Sequence, residues 1–115
     1  MKKGDTPYLK HILDAIARIE EYTAGIEYED FMENHLVQDG VIRQIEIIGE
    51  AAKKVSDEIR EKHLDIPWKD MARMRDKLIH DYLGVDMDAL WDTVENDIPT
   101  LKSKLKDLSE KGEKK

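Results

Sequence analysis

Val41-Ile42-Arg43-Gln44-Ile45-Glu46-Ile47-Ile48-Gly49-Glu50-Ala51-Ala52-Lys53-Lys54-Val55-Ser56-Asp57-Glu58-Ile59 is the stretch on which the fold turns. Val41, Ile45, Ile48, Ala52, Val55 and Ile59 recur at alternating intervals of four and three, the period of a helix that buries one seam against other helices. The pattern predicts one long helix from about Leu36 to Lys62. Gly49 inside it costs about 1 kcal/mol relative to alanine. Its place beside Ala51 and Ala52 therefore marks a point where a neighbouring helix comes close. Glu46 and Glu50 flank this small-residue patch and are candidate partners for a cation on that neighbour. The ordinary alternative is that they pair along their own helix.

Working outward, Thr6 followed by Pro7 reads as cap and first helical residue, and Leu9, Ile12, Leu13, Ile16 and Ile19 make one apolar face. Gly25 is placed to end that helix. Glu29 to Asn34 predicts a short helical turn anchored by Phe31 and Met32. On the other side, Ile66-Pro67-Trp68 opens a third helix, capped at Asp65 or Ile66 and ending near Leu83-Gly84. Asp86 caps a fourth, carrying Leu90, Trp91 and Val94. Pro99 either kinks this helix or restarts it from Asp97 as a fifth, through Leu101, Leu105 and Leu108.

The fold class is therefore all-α, an up-and-down bundle of four to five helices. The 115 residues fit one domain over 1–115, with 1–5 and 110–115 frayed. Three prolines, six glycines and a high charged fraction agree with this class. With no cysteine, thiolate catalysis, disulfides and cysteine-ligated metal sites are excluded. No apolar run is long enough to span a bilayer and no export signal is present, so the chain reads as cytoplasmic, without a membrane partner. His11, His35 and His63 lack the spacing of a metal pair on one helix face, and neither metal nor cofactor is expected.

The formal charge of −7 argues against a general nucleic-acid binder. The charge is uneven, however. Asp14 to Asp39 is almost wholly acidic, whereas Lys69, Arg73, Arg75 and Lys77 are set among Asp70, Asp76 and Asp81, and Lys102, Lys104 and Lys106 follow. Any contact with phosphate should be local to the second half.

The third helix holds the candidate chemistry. In Met71-Ala72-Arg73-Met74-Arg75-Asp76-Lys77-Leu78-Ile79-His80-Asp81-Tyr82, the apolar line of Ala72, Ile79 and Tyr82 also contains Arg75. A guanidinium keeps its charge, so in that position it must be paired or face a polar cavity. His80 adds a proton carrier that works near neutral pH, and Tyr82 a phenol. Taken singly, each has a commonplace reading: a hydrogen-bonded histidine, a structural ion pair, a packed aromatic. A geometric difficulty also arises, because positions five apart differ by about 140° at about 100° per residue. Either the helix ends near His80 and the backbone turns, or a second copy of the motif completes the site across a symmetric dimer. The dimer is preferred, since it gathers two arginines and two histidines around one cleft.

The spacing Arg75-x-x-x-x-His80-x-Tyr82 resembles the signature of the HEPN superfamily of helical RNases. The run Ile45 to Lys54, then Pro67-Trp68, Met74 to Tyr82, Gly84-Val85-Asp86 and Leu90-Trp91 resembles the HepT-like toxin family, over about Tyr8 to Leu108. Arg-x-x-x-x-His alone is a weak signal; in this order with these flanking words it is a specific one. The resemblance implies a helical homodimer with the motif helices at the interface. It implies metal-independent cleavage of RNA, with His80 as general acid or base and Arg75 on the scissile phosphate. Asp76, the polar residue after the arginine, would orient it. The resemblance further implies a cognate minimal nucleotidyltransferase antitoxin that transfers AMP to the motif tyrosine, here Tyr82. A bulky anion there would block the cleft and repel RNA.

Two functions follow from different classes. The first is the toxin RNase of a toxin–antitoxin pair. The second, motivated by the acidic charge, is a non-catalytic helical dimer that binds and regulates a nucleotidyltransferase or a nucleotide.

Overall fold

The computed structural model describes residues 3–80 and 84–113, with side chains at 4–78 and 84–108. After a short 3-10 turn over Lys3–Asp5, the described residues form α1 (Thr6–Thr23), α2 (Tyr28–Glu33), α3 (His35–Lys54) and α4 (Asp57–Lys62). They continue as α5 (Trp68–His80), α6 (Met87–Asp92), a π-helical turn over Thr93–Asp97 and α7 (Ile98–Glu113). The class is all-α, with no strand among the described residues. No helix among them is long and apolar enough to cross a membrane.

Each start and stop has a local cause. Pro7 lies in the first turn of α1, where a missing N–H costs nothing, but the cap position is Asp5 rather than Thr6. Leu9, Ile12, Ala15, Ile16 and Ile19 are buried, and Leu13 sits at the core's edge. Gly25, at φ 72°, takes the left-handed conformation that turns the chain out of α1. Phe31 anchors α2, fully buried with its ring 4.9 Å from that of Trp91. Asn34 caps α3 by accepting from the Val37 N–H, and Asp86 caps α6 by accepting from the Ala89 N–H.

The single helix expected from Leu36 to Lys62 is two. The backbone turns extended at Val55 and Ser56, and α4 starts again with Ser56 as its cap. Groups remote from this junction make the break. The Asp5 carboxylate accepts from the Ser56 N–H at 2.8 Å and from its hydroxyl at 2.7 Å. Arg60 folds back so that Nη2 donates to the carbonyls of Ala52 at 2.7 Å and Lys53 at 2.6 Å, the groups that a helix end leaves without partners. Ser56 is a half-buried cap, and Asp5, within the segment expected to fray, is only 3% exposed. Ile59 stays on the core side through the break, which is why the apolar spacing runs on undisturbed.

The third helix begins at Trp68: the Pro67 carbonyl accepts from the Met71 N–H, so Pro67 itself holds the cap position expected at Asp65 or Ile66 and stands just before the first turn rather than in it. Its expected end near Leu83 lies outside the described residues. Pro99 is the second residue of α7, which starts at Ile98, one residue after the restart expected at Asp97, directly behind the π turn over Thr93–Asp97; in that first turn the N–H that proline lacks is not needed.

The core gathers on α3. One of its faces packs on α1 and another on α5, the two most extensive helix contacts among the described residues, and α7 closes the bundle against α1. Ile45, Ile48, Ala51 and Ala52 of α3 meet Ile12, Ile16, Met71, Leu78, Leu101 and Leu105 in one apolar cluster.

Candidate active site

The close approach expected at Gly49 is to α5, and it fixes where Arg75 stands. A Cβ added at Gly49 would overlap the Arg75 Cβ and lie 2.7 Å from the Met71 carbonyl oxygen. Only a bare backbone lets the two helices meet here. The start of the Arg75 side chain is therefore seated on the α3 backbone, and the rest of it runs along that helix with 29% of its surface exposed.

Of the two glutamates proposed as partners, the structure brings Glu50 to Arg75, with Oε2 3.0 Å from Nη2. Glu46 lines the same cleft but pairs with Arg43 on its own helix at 3.9 Å. Asp76 does contact the arginine, accepting from Nη1 at 3.0 Å. It also holds Lys53 of α3 at 2.6 Å, a cross-helix pair that the spacing of the motif did not disclose. Lys54 stands 3.9 Å from Glu50. The charges thus alternate across the α3–α5 seam as Lys54, Glu50, Arg75, Asp76, Lys53, three cations to two carboxylates. The Lys53 hydrogen bond, and after it that of Arg75, holds the Asp76 carboxyl below its usual range against a small opposing effect of burial.

α5 is helical through His80, so positions 75 and 80 are about 140° apart around one continuous helix. The course of the backbone directly after His80, where a turn was one of the two ways out of the geometric difficulty, lies outside the described residues. The His80 side chain and the whole of Tyr82 lie outside the described residues.

Arg75 opens into a cleft of about 420 Å³ between α1, α3 and α5. Its α1 wall is Tyr8 and His11, neighbours one helical turn apart whose rings meet edge to face at 6.5 Å between centroids. Sequence reasoning weighed His11 only as a metal ligand and passed over Tyr8. The signal that could have found them is their three-residue spacing opposite a helix carrying Arg43 and Lys54. Chemically, this arrangement presents a fixed cation on a rigid seam, further cations beside it and an aromatic wall, which suits a phosphate joined to a planar ring.

The class is thus a small helical bundle that holds a paired arginine where two helices meet backbone to backbone at a glycine, five residues ahead of a histidine. The chain belongs to the ribonuclease HepT-like family, whose pattern it matches over residues 12–108. It is 51% identical over 108 residues to a probable ribonuclease HepT of Thermococcus cleftensis, covering 94% of this chain and 98% of that one. A putative RNase of Caldanaerobacter subterraneus subsp. tengcongensis is 43% identical over 109 residues, 95% of this chain and 97% of its own. A gamma-glutamylcyclotransferase and putative RNase of Methanocaldococcus jannaschii is 48% identical over 114 residues, where this chain accounts for 51% of the longer protein. No solved structure matches.

Proposed function

We propose that the protein is a metal-independent endoribonuclease, the toxin of a two-gene toxin–antitoxin pair, working as a homodimer with its α5 helices facing one another. The observation that carries this reading is Arg75, seated by the Gly49 contact and held by Glu50 and Asp76 at the mouth of a cleft. Asp76 accepts one N–H of Nη1 and Glu50 pairs with Nη2, so most of the five N–H groups a guanidinium carries are left for phosphate oxygens without breaking the ion pairs. Membership of the HepT-like family and the names of its relatives support the same activity.

In the proposed reaction the RNA 2′-hydroxyl attacks the adjacent phosphorus and the bond to the 5′-oxygen of the next nucleotide breaks. A cyclic phosphate and a free 5′-hydroxyl result. His80 takes the proton from the attacking oxygen or gives one to the leaving oxygen. Arg75 neutralises the charge that grows on the phosphoryl oxygens. Two copies of the motif across a two-fold axis would supply one histidine for each proton transfer. Tyr82 is the proposed acceptor of AMP from the partner nucleotidyltransferase, which silences the toxin by filling the cleft with negative charge.

Expression of Arg75→Ala and His80→Ala tests this. Each should lose growth arrest and RNA cleavage by at least about 100-fold, the scale of losing a charge-stabilising or proton-transfer group, while keeping the oligomeric mass of the parent. Full toxicity in both would overturn the assignment. The net charge of −7 favours the second reading, a non-catalytic dimer that regulates a nucleotidyltransferase. Unmodified, dimeric protein that cleaves no RNA would decide for it. After co-expression with a nucleotidyltransferase, an added AMP that maps to Tyr82 would support the toxin system, while only RNA cleavage establishes the nuclease chemistry.

A further inference from the structure

The cleft reaches well past the arginine, and its far side is built from residues for which the proposed chemistry has no use. Arg43 and Lys54 both line it from α3. Eleven residues of helix put them about 16 Å apart along its axis, a span suited to a short run of strand rather than one phosphate. Between them Ile47 and Ala51 make a small apolar floor, and across from them Tyr8 and His11 present their rings from α1. The volume of about 420 Å³ lies within the roughly 300–1,000 Å³ usual for small-ligand sites.

The charges are arranged to take a polyanion. Arg43, Lys54 and Arg75 line the cleft against Glu46 and Glu50, an excess of one positive charge in a chain of net −7. Both carboxylates are occupied, Glu46 with Arg43 and Glu50 with Arg75 and Lys54. Arg43 is 70% exposed and Lys54 55%, so both ends of the cleft are free to swing onto phosphates. An edge-to-face aromatic pair beside an apolar floor is what a nucleobase requires, since any base can stack on such a surface whatever its sequence.

We infer that the α1–α3 cleft is a nucleotide subsite, in which Tyr8 and His11 take the base next to the scissile phosphate and Arg43 holds the phosphate beyond it. This rests on the ribonuclease reading and deepens it. It assigns α1 a part in gripping the substrate and makes RNA single-stranded at the point of cleavage the preferred ligand, because a paired base cannot reach the wall. The histidine and the arginine are positioning residues: they govern where the strand lies, not the proton transfers.

The test separates binding from cleavage. A fluorescein-labelled RNA hexamer with 2′-O-methyl groups throughout has no attacking hydroxyl, so its binding to the full chain can be followed by anisotropy whether or not the protein is a nuclease. His11→Ala and Arg43→Ala alter exposed side chains and leave the core intact. Each should weaken binding about 5- to 150-fold, the range of losing a stacking or phosphate contact. Arg43→Ala should also lower the salt dependence by about one charge. Lys102→Ala, which removes a cation paired with Glu20 away from the cleft, should change affinity less than about 2-fold. Tyr8→Phe should bind as the parent does, because it keeps the ring.

Parental affinity in both His11→Ala and Arg43→Ala would overturn the subsite, as would failure of the parent to bind the hexamer. So would loss of the dimer in either variant, by light scattering, which would make this face a contact between copies of the chain. If the parent binds the hexamer through these residues yet leaves unmodified RNA intact, the subsite stands and the nuclease reading falls.

Discussion

Gly49→Ala isolates the contact on which the site is built. In a free helix the substitution favours folding by about 1 kcal/mol, because alanine restricts the unfolded chain and suits the helix better. Here the new methyl would stand 2.7 Å from the Met71 carbonyl oxygen and overlap the Arg75 Cβ. Carbon and carbonyl oxygen approach to about 3.3 Å at the closest, so α5 must withdraw by at least about 0.6 Å, and further to clear the arginine. Both obstacles are anchored to backbone, so no flexible tip can swing aside. Overpacking of this kind costs about 1–3 kcal/mol; set against the gain in propensity, the net loss runs up to about 2 kcal/mol, or up to about 8 °C in Tm for a domain of this size. Gly40→Ala, in the same helix, is the control. Its methyl would meet only the Tyr22 ring at 3.1 Å, a side chain able to yield, so that variant should melt at or above the parent. Activity adds a second reading, since a displacement near 1 Å costs about 100-fold where a phosphate must be gripped. Thermal melts followed by circular dichroism suffice, and a Gly49→Ala protein as stable as the Gly40→Ala one would refute the reasoning.

Asp5→Ala should cost about 2 kcal/mol in urea unfolding, because it strips the acceptor from the Ser56 N–H at the α3–α4 junction. A loss below about 0.5 kcal/mol would mean that Arg60 holds the break unaided. Asp76 has its folded pKa below the ordinary 3.8, so its contribution to stability is complete above that value and is lost as pH falls through the lower folded one. The difference in Tm between parent and Asp76→Asn should hence be constant near neutrality and shrink below pH about 3.8, measured by melts across an acid series. Tyr28 donates its hydroxyl to Asp88, and this bond, with some desolvation and the nearby negative charge of Asp88 and Glu29, raises the phenol above its usual 10.0. In an ultraviolet alkaline titration one tyrosine should ionise above pH 10.0, and Tyr28→Phe should abolish that late step.

Most of the architecture was readable because it rests on local rules. The Val41-to-Ile59 seam, the Pro7 and Pro67 helix starts, the Asn34–Phe31 turn region and the Asp86 cap all depend on residues within a few positions of one another. Gly49 was informative for the same reason: a glycine weakens the helix that carries it, and among small residues that weakness is offset where a second backbone packs close. The α3–α4 break was not readable, since it is imposed by Asp5, 51 residues before Ser56, while Val55 and Ile59 keep their apolar phase across it. The Thr93–Asp97 π turn was hidden likewise, Pro99 being compatible with a kink, a restart or a widened turn. At the site, Glu50 could be named from its place beside Gly49, but the choice between Glu46 and Glu50 needed the crossing of the helices. Lys53 was invisible because its partner Asp76 had already been given a role next to Arg75.

Because α3 shares the two largest helix contacts among the described residues, one with α1 and one with α5, the order of assembly is constrained as well as its product. A refolding chain that docks either neighbour early must already have the central helix formed, which makes Ile45 and Ile48 expected members of the folding nucleus. Shaving methyls there, as in Ile48→Val, should slow refolding. Shortening Leu105 of α7 should instead hasten unfolding, so that the two variants move opposite arms of the chevron.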